Sequence, residues 1–350
     1  MGNFLIYGSY GYTGELVVEL AVREGLRPVL AGRNEERLKA QAARYGLEYR
    51  AFRLEDTRAL DAALGEVDAV LHCAGPFVHT FRSMAEACLR TRRHYVDISG
   101  EILGFESLAA LDLQAREAGV MLLPGAGFDV VPSDCLAAHL KKRLPSATHL
   151  RLYIRGVGAG FSRGTAKSGI ENMQRGGMIR RDRRLVQVPL GWKTAEADFG
   201  RGPVWTVSIG WGDVSTAYHS TGMPNVEVYM AVPRTLINSL RAVSLLMPLL
   251  RTRPVKGLLK SSLKLFPPGP SEERRKNAIA IMVGEVTDEA GGRAISKLQT
   301  PEGYTLTALT AVEVMKRILA GDYTVGFQTP SRAYGPDFIL GFEGTLRVDL

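Results

Sequence analysis

The stretch NFLIYGSYGYTG, residues 3–14, places a short apolar run directly before three glycines with the spacing GxxGxxG. Apolar residues then recur at helical spacing, at Leu16, Val17, Leu20 and Ala21. A strand, a glycine-rich turn and a helix in this order are the context in which a dinucleotide-binding fingerprint is expected. The spacing differs from the commoner GxGxxG, so the prediction depends on the flanking strand and helix as much as on the glycines.

Each glycine of this turn has a predicted role. Gly8 permits the tight turn, Gly11 lets the backbone approach a pyrophosphate at positive φ, and Gly14 lets the helix pack close to its strand. The helix N-terminus then presents N–H groups and a partial positive charge to the phosphates. The candidates for cofactor binding in this turn are Gly8, Ser9, Tyr10, Gly11, Tyr12, Thr13 and Gly14.

The composition is that of an ordinary globular protein, with 350 residues of which 45% are hydrophobic and 23% charged. This length predicts two domains. Cys73, Cys88 and Cys135 predict buried thiols of a cytoplasmic protein, because their odd number and apolar contexts fit neither a disulfide framework nor a zinc site. The net charge of +8 suits an anionic ligand. No nucleic-acid recognition motif accompanies that charge, so we expect no nucleic-acid partner.

The order of apolar runs predicts the fold class. In the first third of the chain, runs at residues 3–7, 28–31, 48–54, 67–73, 94–97 and 120–123 alternate with helical segments, which predicts a doubly wound parallel sheet, an α/β fold. From Leu136 onward, runs at 150–157, 185–188, 204–209, 226–232, 278–286 and 294–298 follow one another mostly without helices. They predict a largely antiparallel second sheet, with residues 180–184 as a solvated loop and a late helix at 305–319 closed by Gly321.

The residues after the second strand choose between the two nicotinamide cofactors. An NAD enzyme usually has Asp or Glu there to bind the ribose 2′-hydroxyl. This chain has Gly32-Arg33-Asn34 and no acid before Glu35. A guanidinium at Arg33 suits the 2′-phosphate of NADP(H), and Asn34 is the expected N-cap of the next helix.

Further candidates stand where later strands end, since open α/β sheets bind ligands at the carboxyl ends of their strands. Asp56 follows the third strand, and Ala74-Gly75-Pro76 follows the fourth, where the loop is expected to pass close to the nicotinamide. Asp97, Glu101 and Asp129 follow the fifth and sixth strands. For each of these acids, closing a loop through hydrogen bonds to backbone N–H groups is an alternative to a catalytic role.

Residues 235–266 combine a broken apolar run with arginines and lysines. The run is shorter than the roughly 20 residues that a membrane span needs. Two alternatives stay open: a helix packed on a sheet or on a second subunit, and a basic amphipathic segment that contacts a membrane surface peripherally or buries an acyl substrate.

Three other kinds of site are disfavoured. No tyrosine has lysine four residues later, as the short-chain dehydrogenases require. The segment 160–164 spells GxSxG, but only His219 follows it to complete a hydrolase triad. The histidines and cysteines form no metal-binding motif, so no metal is expected.

Four ordered motifs resemble those of the saccharopine dehydrogenase-like oxidoreductases: the glycine turn 8–14, CAGPF at 73–77, YVDISGE at 95–101 and GFDVVPSD at 127–134. Within that group the chain is most similar to the branch of the trans-acting enoyl reductases. Segments 164–168 and 326–330 extend the likeness. The resemblance implies an NADP-binding Rossmann domain at 1–135, an inserted mixed-sheet α+β domain at 136–304 for substrate binding or dimerisation, and a segment at 305–350 that returns to the first domain.

The resemblance also implies an NADPH-dependent oxidoreductase. We further expect a homodimer, with the second domain as a place of dimerisation. The favoured substrate is a small, hydrophobic or lipid-like enoyl or carbonyl compound. A saccharopine-type imine dehydrogenase and a non-catalytic NADP-binding regulator stay open as alternatives. Asp129 and Lys167 are the charged residues of the segments expected to wall the substrate pocket, which makes them the candidates for polarising substrate or relaying a proton.

Overall fold

The computed structural model describes residues 2–158, 160, 162–173, 176–235, 237 and 268–350, without the side chains of 170–173. The chain divides into two compact units. Unit 1 comprises Met1–Val131 and Tyr304–Ala333, and unit 2 comprises Pro132–Gly303 and Tyr334–Leu350.

Unit 1 contains a seven-stranded sheet in the order β15-β6-β5-β4-β1-β2-β3, and every pairing in it is parallel. Its strands are β1 (Phe4–Tyr7), β2 (Val29–Gly32), β3 (Tyr49–Ala51), β4 (Ala69–His72), β5 (His94–Asp97), β6 (Met121–Leu123) and β15 (Gly326–Phe327). The predicted Rossmann-type α/β fold is therefore confirmed. The short strand β15 adds a seventh member that comes from the late part of the chain.

Helices connect these strands in unit 1. They are α1 (Tyr12–Arg23), α2 (Glu35–Tyr45), α3 (Thr57–Gly65), α4 (Phe81–Thr91), α5 (Ile102–Ala109), α6 (Asp112–Ala118), α11 (Gly303–Leu319) and α12 (Pro330–Tyr334). The strands β1, β2, β4 and β5 are buried along their whole length, as expected for a parallel sheet covered on both faces. As predicted, Gly321 follows α11 in the left-handed region, with φ of 83°.

Unit 2 is built on a mixed, mostly antiparallel sheet with the central order β10-β11-β12-β7-β13-β14-β16. Its strands are β7 (His149–Val157), β8 (Gly177–Arg181), β9 (Arg184–Val188), β10 (Thr194–Asp198), β11 (Pro203–Ile209), β12 (Asn225–Ala231), β13 (Ile279–Thr287), β14 (Arg293–Pro301) and β16 (Leu346–Asp349). The β12–β7 pairing is parallel. Helices α7 (Val131–Arg143), α8 (Arg163–Met173), α9 (Asp213–Thr221) and α10 (Glu272–Asn277) accompany it.

The arginine-rich segment 180–184 is exposed, as the sequence predicts, except at Arg180. Arg180 lies in β8 and is only 3% exposed. Its Nε donates to the carbonyl of Val214 at 2.8 Å, and its guanidinium stacks over the ring of Tyr218. The carbonyls and the aromatic ring compensate the buried charge, so Arg180 is a structural residue of unit 2.

The last segment also differs from the expectation of one return to the first domain. Residues 304–333 belong to unit 1, whereas 334–350 belong to unit 2, where β16 pairs with β14. Asp349 fastens this strand, because its carboxylate accepts hydrogen bonds from Ser296 at 2.7 Å and His139 at 2.8 Å. Whether the ranges 1–135, 136–304 and 305–350 fold as separate domains stays a prediction.

Within the described ranges, no helix has the length and apolar character that crossing a membrane requires. The segment 235–266, with its two open alternatives, lies outside the described residues except for 235 and 237.

Candidate cofactor site

The glycine turn closes directly after β1. Gly8 has φ of 86°, and its N–H donates to the carbonyl of Ala31 in β2 at 2.7 Å. The prediction of positive φ at Gly11 is wrong: Gly11 has φ of −72° and ψ of 164°, the extended conformation of an N-cap. The left-handed residue of the turn is therefore Gly8, where a side chain would be strained.

Gly14 allows the close approach of α1 to the turn. A Cβ at this position would lie 2.7 Å from the carbonyl oxygen of Ser9, closer than side chains pack. At the start of the helix, the N-cap is Gly11, which has no side chain to bond to the first N–H groups of α1. Tyr12 and Thr13 begin the helix. This N-terminus therefore has no side-chain cap, and a helix end of this kind is suited to an anion.

Ser9 holds the turn to α2. Its hydroxyl donates to the side-chain oxygen of Gln41 at 2.7 Å, and the amide of Gln41 donates back to the carbonyl of Ser9 at 3.0 Å. Both residues are buried. Ser9 therefore stabilises the turn through both its side chain and its carbonyl.

The end of β2 is covered by Tyr10. Its ring packs on Gly32, where a Cβ would lie 2.6 Å from Cε1 of the ring. Its hydroxyl accepts hydrogen bonds from the N–H groups of Arg33 at 3.2 Å and Asn34 at 3.1 Å. Asn34 caps α2 as predicted, since its side chain accepts from the N–H of Arg37 at 2.9 Å. A tyrosine of the glycine turn is in this way fixed to the loop that selects the cofactor.

Arg37 places a second guanidinium at the end of β2, and it was not among the predicted site residues. Its side chain donates to the carbonyl of Tyr10 at 2.8 Å and lies 4.6 Å from the centre of the Tyr10 ring. Arg33 and Arg37 are both exposed. The signal that could have revealed Arg37 is its position three residues after the expected N-cap Asn34, in the first turn of α2 next to the Arg33 loop.

Asp56 caps a helix in this structure. Its carboxylate accepts from the N–H of Ala59 at 3.0 Å, at the start of α3. This contact fully accounts for an acid at this position. Its predicted part in cofactor binding stays a prediction.

The loop after β4 lies against the glycine turn. A Cβ at Gly8 would stand 2.9 Å from Cβ of Ala74, so the two loops touch. Gly75 and Pro76 then lead into a 3-10 helix at Phe77–His79. The hydroxyl of Thr80 donates to the carbonyl of Ala74 at 2.9 Å and closes the loop. The predicted residues 8–14 and 74–76 are therefore brought together at the carboxyl ends of β1 and β4.

Asp97 ties the next two loops to each other. Its carboxylate accepts from the N–H groups of Ser99 at 2.9 Å and Gly125 at 2.8 Å, and from the hydroxyl of Tyr95 at 2.6 Å. Burial raises the pKa of Asp97, while these donors act in the opposite direction. Asp97 is thus the loop-closing acid that the sequence analysis offered as an alternative to a catalytic one.

Asp129 lies beside the loop that Asp97 closes. A Cβ at Gly100 would stand 2.8 Å from its Oδ2. Burial, and then the charge of Glu101, raise the pKa of Asp129 from 3.8 to about 7. A carboxyl group in this state holds a proton close to neutral pH.

Lys167 belongs to the other unit. It is exposed on α8 of unit 2, whereas Asp129 belongs to unit 1. The predicted roles of Asp129 and Lys167 in polarising the substrate or relaying a proton stay predictions. In the portion of the chain that the structure describes, no group of three or more His, Cys, Asp or Glu side chains is arranged to hold a metal ion.

Comparison with known proteins identifies the first unit. Residues 4–123 match the family described as "Saccharopine dehydrogenase NADP binding domain". This part of the chain is therefore similar to the NADP-binding domain of saccharopine dehydrogenases. The resemblance is thereby confirmed for the first three motifs, which lie within residues 4–123, and the match supports NADP(H) as the cofactor.

Relatives of the NADP-binding domain extend the comparison. A "Trans-acting enoyl reductase" of Mycobacterium leprae (strain TN) is 32% identical over 152 residues, which are 41% of this chain and 36% of that protein. A "Lipid droplet localized protein" of Caenorhabditis elegans is 29% identical over 154 residues, 40% of this chain and 36% of that protein. The matches thus span little more than a third of these relatives.

The fold of the whole chain has a solved counterpart. Saccharopine dehydrogenase (L-Glu forming) from Saccharomyces cerevisiae aligns with a TM-score of 0.68 over 100% of both chains at 13% identity. At this identity the likeness concerns the fold alone. It agrees with a parallel Rossmann-type sheet followed by a second mixed sheet.

The NADP-binding domain fits its cofactor at two points of the structure. The N-terminus of α1 has a glycine as N-cap, which leaves the helix end accessible to a phosphate. The end of β2 has two exposed arginines and no acid before Glu35. That combination suits a 2′-phosphate and would leave a 2′-hydroxyl without its usual acidic acceptor.

Proposed function

We propose that this protein is an NADPH-dependent oxidoreductase that reduces an enoyl or carbonyl group of a hydrophobic small molecule. The observation that carries the proposal is the contact between the glycine turn and the Ala74 loop within a domain of an NADP-binding family. This contact makes one continuous edge at the carboxyl ends of β2, β1 and β4. Such an edge is where a Rossmann-type sheet receives its dinucleotide.

The residues proposed to hold the cofactor follow this edge. At the adenine end, the guanidiniums of Arg33 and Arg37 would bind the 2′-phosphate. In the middle, the backbone at the start of α1 would bind the pyrophosphate. The full proposed set is Gly8, Ser9, Tyr10, Gly11, Tyr12, Thr13, Gly14, Gly32, Arg33, Asn34, Arg37, Ala74, Gly75 and Pro76, with Asp56 as the member whose role is least supported by contacts.

The protein's own part in the reaction is to orient the reactants, exclude water and manage a proton. When bound, NADPH supplies the hydride. Asp129 is proposed to hold the proton on its carboxyl group, because its pKa of about 7 leaves the group protonated in a large fraction of molecules at neutral pH. Lys167 is the second proposed polar residue, as a donor to the substrate oxygen.

The substrate class rests on the named relatives. Several of them are called trans-acting enoyl reductases, and one is named for its location on lipid droplets. Both names favour an apolar substrate over an amino acid with several carboxylates. Peripheral membrane contact through 235–266, homodimerisation and a cytoplasmic location accompany this proposal; vesicle flotation, light scattering and cell fractionation test them one by one.

The deciding experiment is NADPH oxidation by the purified protein over a panel of enones, imines and keto acids. We expect turnover with a long-chain enone or enal and none with the imines. Turnover with an amino-acid imine alone would replace the proposal by a saccharopine-type dehydrogenase. Tight NADPH binding without turnover of any compound would favour the non-catalytic regulator.

A further inference from the structure

Glu101 is a buried carboxylate that does not serve its own helix. It stands at the N-cap position of α5, yet its side chain makes no capping hydrogen bond there. Instead Oε1 accepts the N–H of Phe77 at 2.9 Å and Oε2 accepts the N–H of Val78 at 2.6 Å. The residue is only 6% exposed. Glu101 thus bonds to the loop after β4 instead of capping α5.

Burying a carboxylate is costly unless hydrogen bonds compensate its charge. Here both oxygens receive a backbone N–H, and such bonds to an ionised acceptor are about twice as strong as neutral ones. The two donors are neighbours in the chain, at the start of the 3-10 helix that follows Gly75-Pro76. The carboxylate therefore fixes the direction of this backbone more firmly than one neutral side chain could.

The same loop is held at a second point. The hydroxyl of Thr80 donates to the carbonyl of Ala74 at 2.9 Å, and Nε2 of His72 lies 2.9 Å from that hydroxyl oxygen. Burial lowers the pKa of His72 to about 3, so the ring is neutral. Since the Thr80 proton goes to Ala74, we assign the proton of His72 to Nε2, which donates to Thr80. His72 and Thr80 thus fix the carbonyl of Ala74, and Glu101 fixes the two N–H groups that follow.

From this geometry we infer that Glu101 is a positioning residue, which holds residues 74–78 in the shape that receives the nicotinamide half of NADP(H). The inference rests on the proposed function, because it needs the dinucleotide to extend from the glycine turn onto the Ala74 loop. Glu101 acts through the backbone of Phe77 and Val78 and is not proposed to touch the reacting atoms.

The inference is tested with Glu101→Gln, whose amide keeps one acceptor and places a donor against the second N–H. The matched control is Glu117→Gln, an exposed residue of α6 in the same unit. Two measurements are made on each: amide hydrogen exchange at Phe77 and Val78 without cofactor, and the dissociation constants of NADPH and of 2′,5′-ADP. The second ligand carries the adenosine and the 2′-phosphate but lacks the nicotinamide.

In Glu101→Gln we expect exchange at Phe77 and Val78 to rise by about 10-fold or more, since one charge-assisted hydrogen bond is lost. NADPH should bind about 10-fold more weakly, while 2′,5′-ADP should bind within about 2-fold of wild type. The control should change neither. Unchanged NADPH affinity, or an equal loss for both ligands, would overturn the inference.

If Glu101→Gln does not fold, Glu101→Asp takes its place, because a side chain shorter by one methylene keeps the charge and reaches one N–H at most. It should show the same selective loss for NADPH, and wild-type NADPH affinity in this variant would equally refute the inference. Wild-type protein that binds NADPH but reduces no compound would refute the proposed reductase activity alone. The comparison of the two ligands would then still decide the role of Glu101.

Discussion

Two regions of the candidate site differ in whether their charged groups are exposed or buried. The phosphate end, residues 8–14 and 32–37, offers exposed guanidiniums and the backbone N–H groups at the start of α1. The loop end, residues 72–80, 97–101 and 125–129, offers buried carboxylates whose oxygens accept backbone N–H groups. The charged side chains of the first end are exposed, and the carboxylates of the second end hold the chain through hydrogen bonds.

Because of this difference, we expect the phosphate end to determine the affinity for the cofactor and the loop end to determine the geometry of the site. Exposed charges attract an anionic ligand over several ångströms, and salt screens that attraction. Buried, hydrogen-bonded carboxylates are screened much less and fix the backbone around them. Substitutions at the phosphate end should therefore change the binding constant in a salt-dependent manner, and substitutions at the loop end should change positioning and proton transfer.

The largest effect is expected from Gly11→Val at the phosphate end. A Cβ at Gly11 would lie 3.2 Å from the carbonyl oxygen of Gly8, a tight contact that a small shift relieves, and φ of −72° accommodates a side chain. The branched side chain would cover the start of α1. Losing two charge-assisted bonds to phosphate should weaken NADPH binding by about 1,000-fold or more, which a fluorescence titration measures.

The control for this variant is Gly65→Val at the end of α3, where an added Cβ meets nothing within 4 Å. Both proteins should keep the circular dichroism spectrum of wild type. Normal NADPH titration by Gly11→Val would show that the cofactor does not lie on α1, and the comparison between the two ends would lose its basis.

The second largest effect concerns Asp129 at the loop end. Asp129→Asn should lower turnover at least ~100-fold if Asp129 is the proton donor, with NADPH affinity preserved. Because the protonated form is the active one and its pKa is about 7, wild-type turnover should be level below pH 7 and fall about tenfold per unit above it. Lys167→Met should give a similar loss without this pH limb. If both variants keep near-full turnover, the proton comes from water.

The raised pKa of Asp129 also makes the stability of the fold depend on pH. The folded state holds the proton of Asp129 more tightly than the unfolded chain, whose carboxyl has the ordinary value of 3.8. Between roughly pH 4 and pH 7 the folded state therefore binds more protons, and this contribution to stability is lost as pH rises through that window. Thermal melts at pH 5 and pH 8 should show a smaller difference for Asp129→Asn than for wild type; an equal difference would mean that Asp129 is ionised when folded.

How well the sequence predicts each end depends on how far apart in the sequence the contacting residues lie. The glycine turn, the first six strands of unit 1 and the N-cap Asn34 depend on neighbours within a few residues, and local patterns identify them. Glu101 was visible as an acid after β5, but its partners Phe77 and Val78 are 24 and 23 residues away. No local pattern specifies that pairing.

The prediction of a solvated loop at residues 180–184 of unit 2 was wrong at Arg180 for the same reason. The run RRDRR at 180–184 is typical of a solvated loop, and Asp182 and Arg183 do form a turn at positive φ. What buries Arg180 is the carbonyl of Val214, 34 residues later, together with Tyr218. Burial of a charged residue is decided by partners distant in the sequence, so composition alone cannot predict it.

A smaller effect at the phosphate end concerns the choice between the two cofactors. Arg33→Ala and Arg37→Ala should each weaken NADPH binding by about 1.5–3 kcal/mol, or about 10- to 150-fold, and leave NADH binding almost unchanged. The loss should shrink at high salt, because both guanidiniums are exposed. Equal losses for both cofactors would show that neither arginine meets the 2′-phosphate. Arg58→Ala, at an exposed arginine of α3, is the control.

The smallest effect is expected at two residues that each cap a helix through a side-chain oxygen. Asn34 caps α2 beside Arg33, and Asp56 caps α3. Each alanine substitution should lower the free energy of unfolding by about 1 kcal/mol, measured by urea denaturation. Asn34→Ala should also weaken NADPH binding, because the loop that carries Arg33 loses its fixed entry into α2. Asp56→Ala should leave NADPH affinity unchanged if its carboxylate only caps α3. A loss of affinity in Asp56→Ala larger than in Asn34→Ala would extend the phosphate end to the third strand, and would make Asp56 a cofactor-binding residue in addition to a cap.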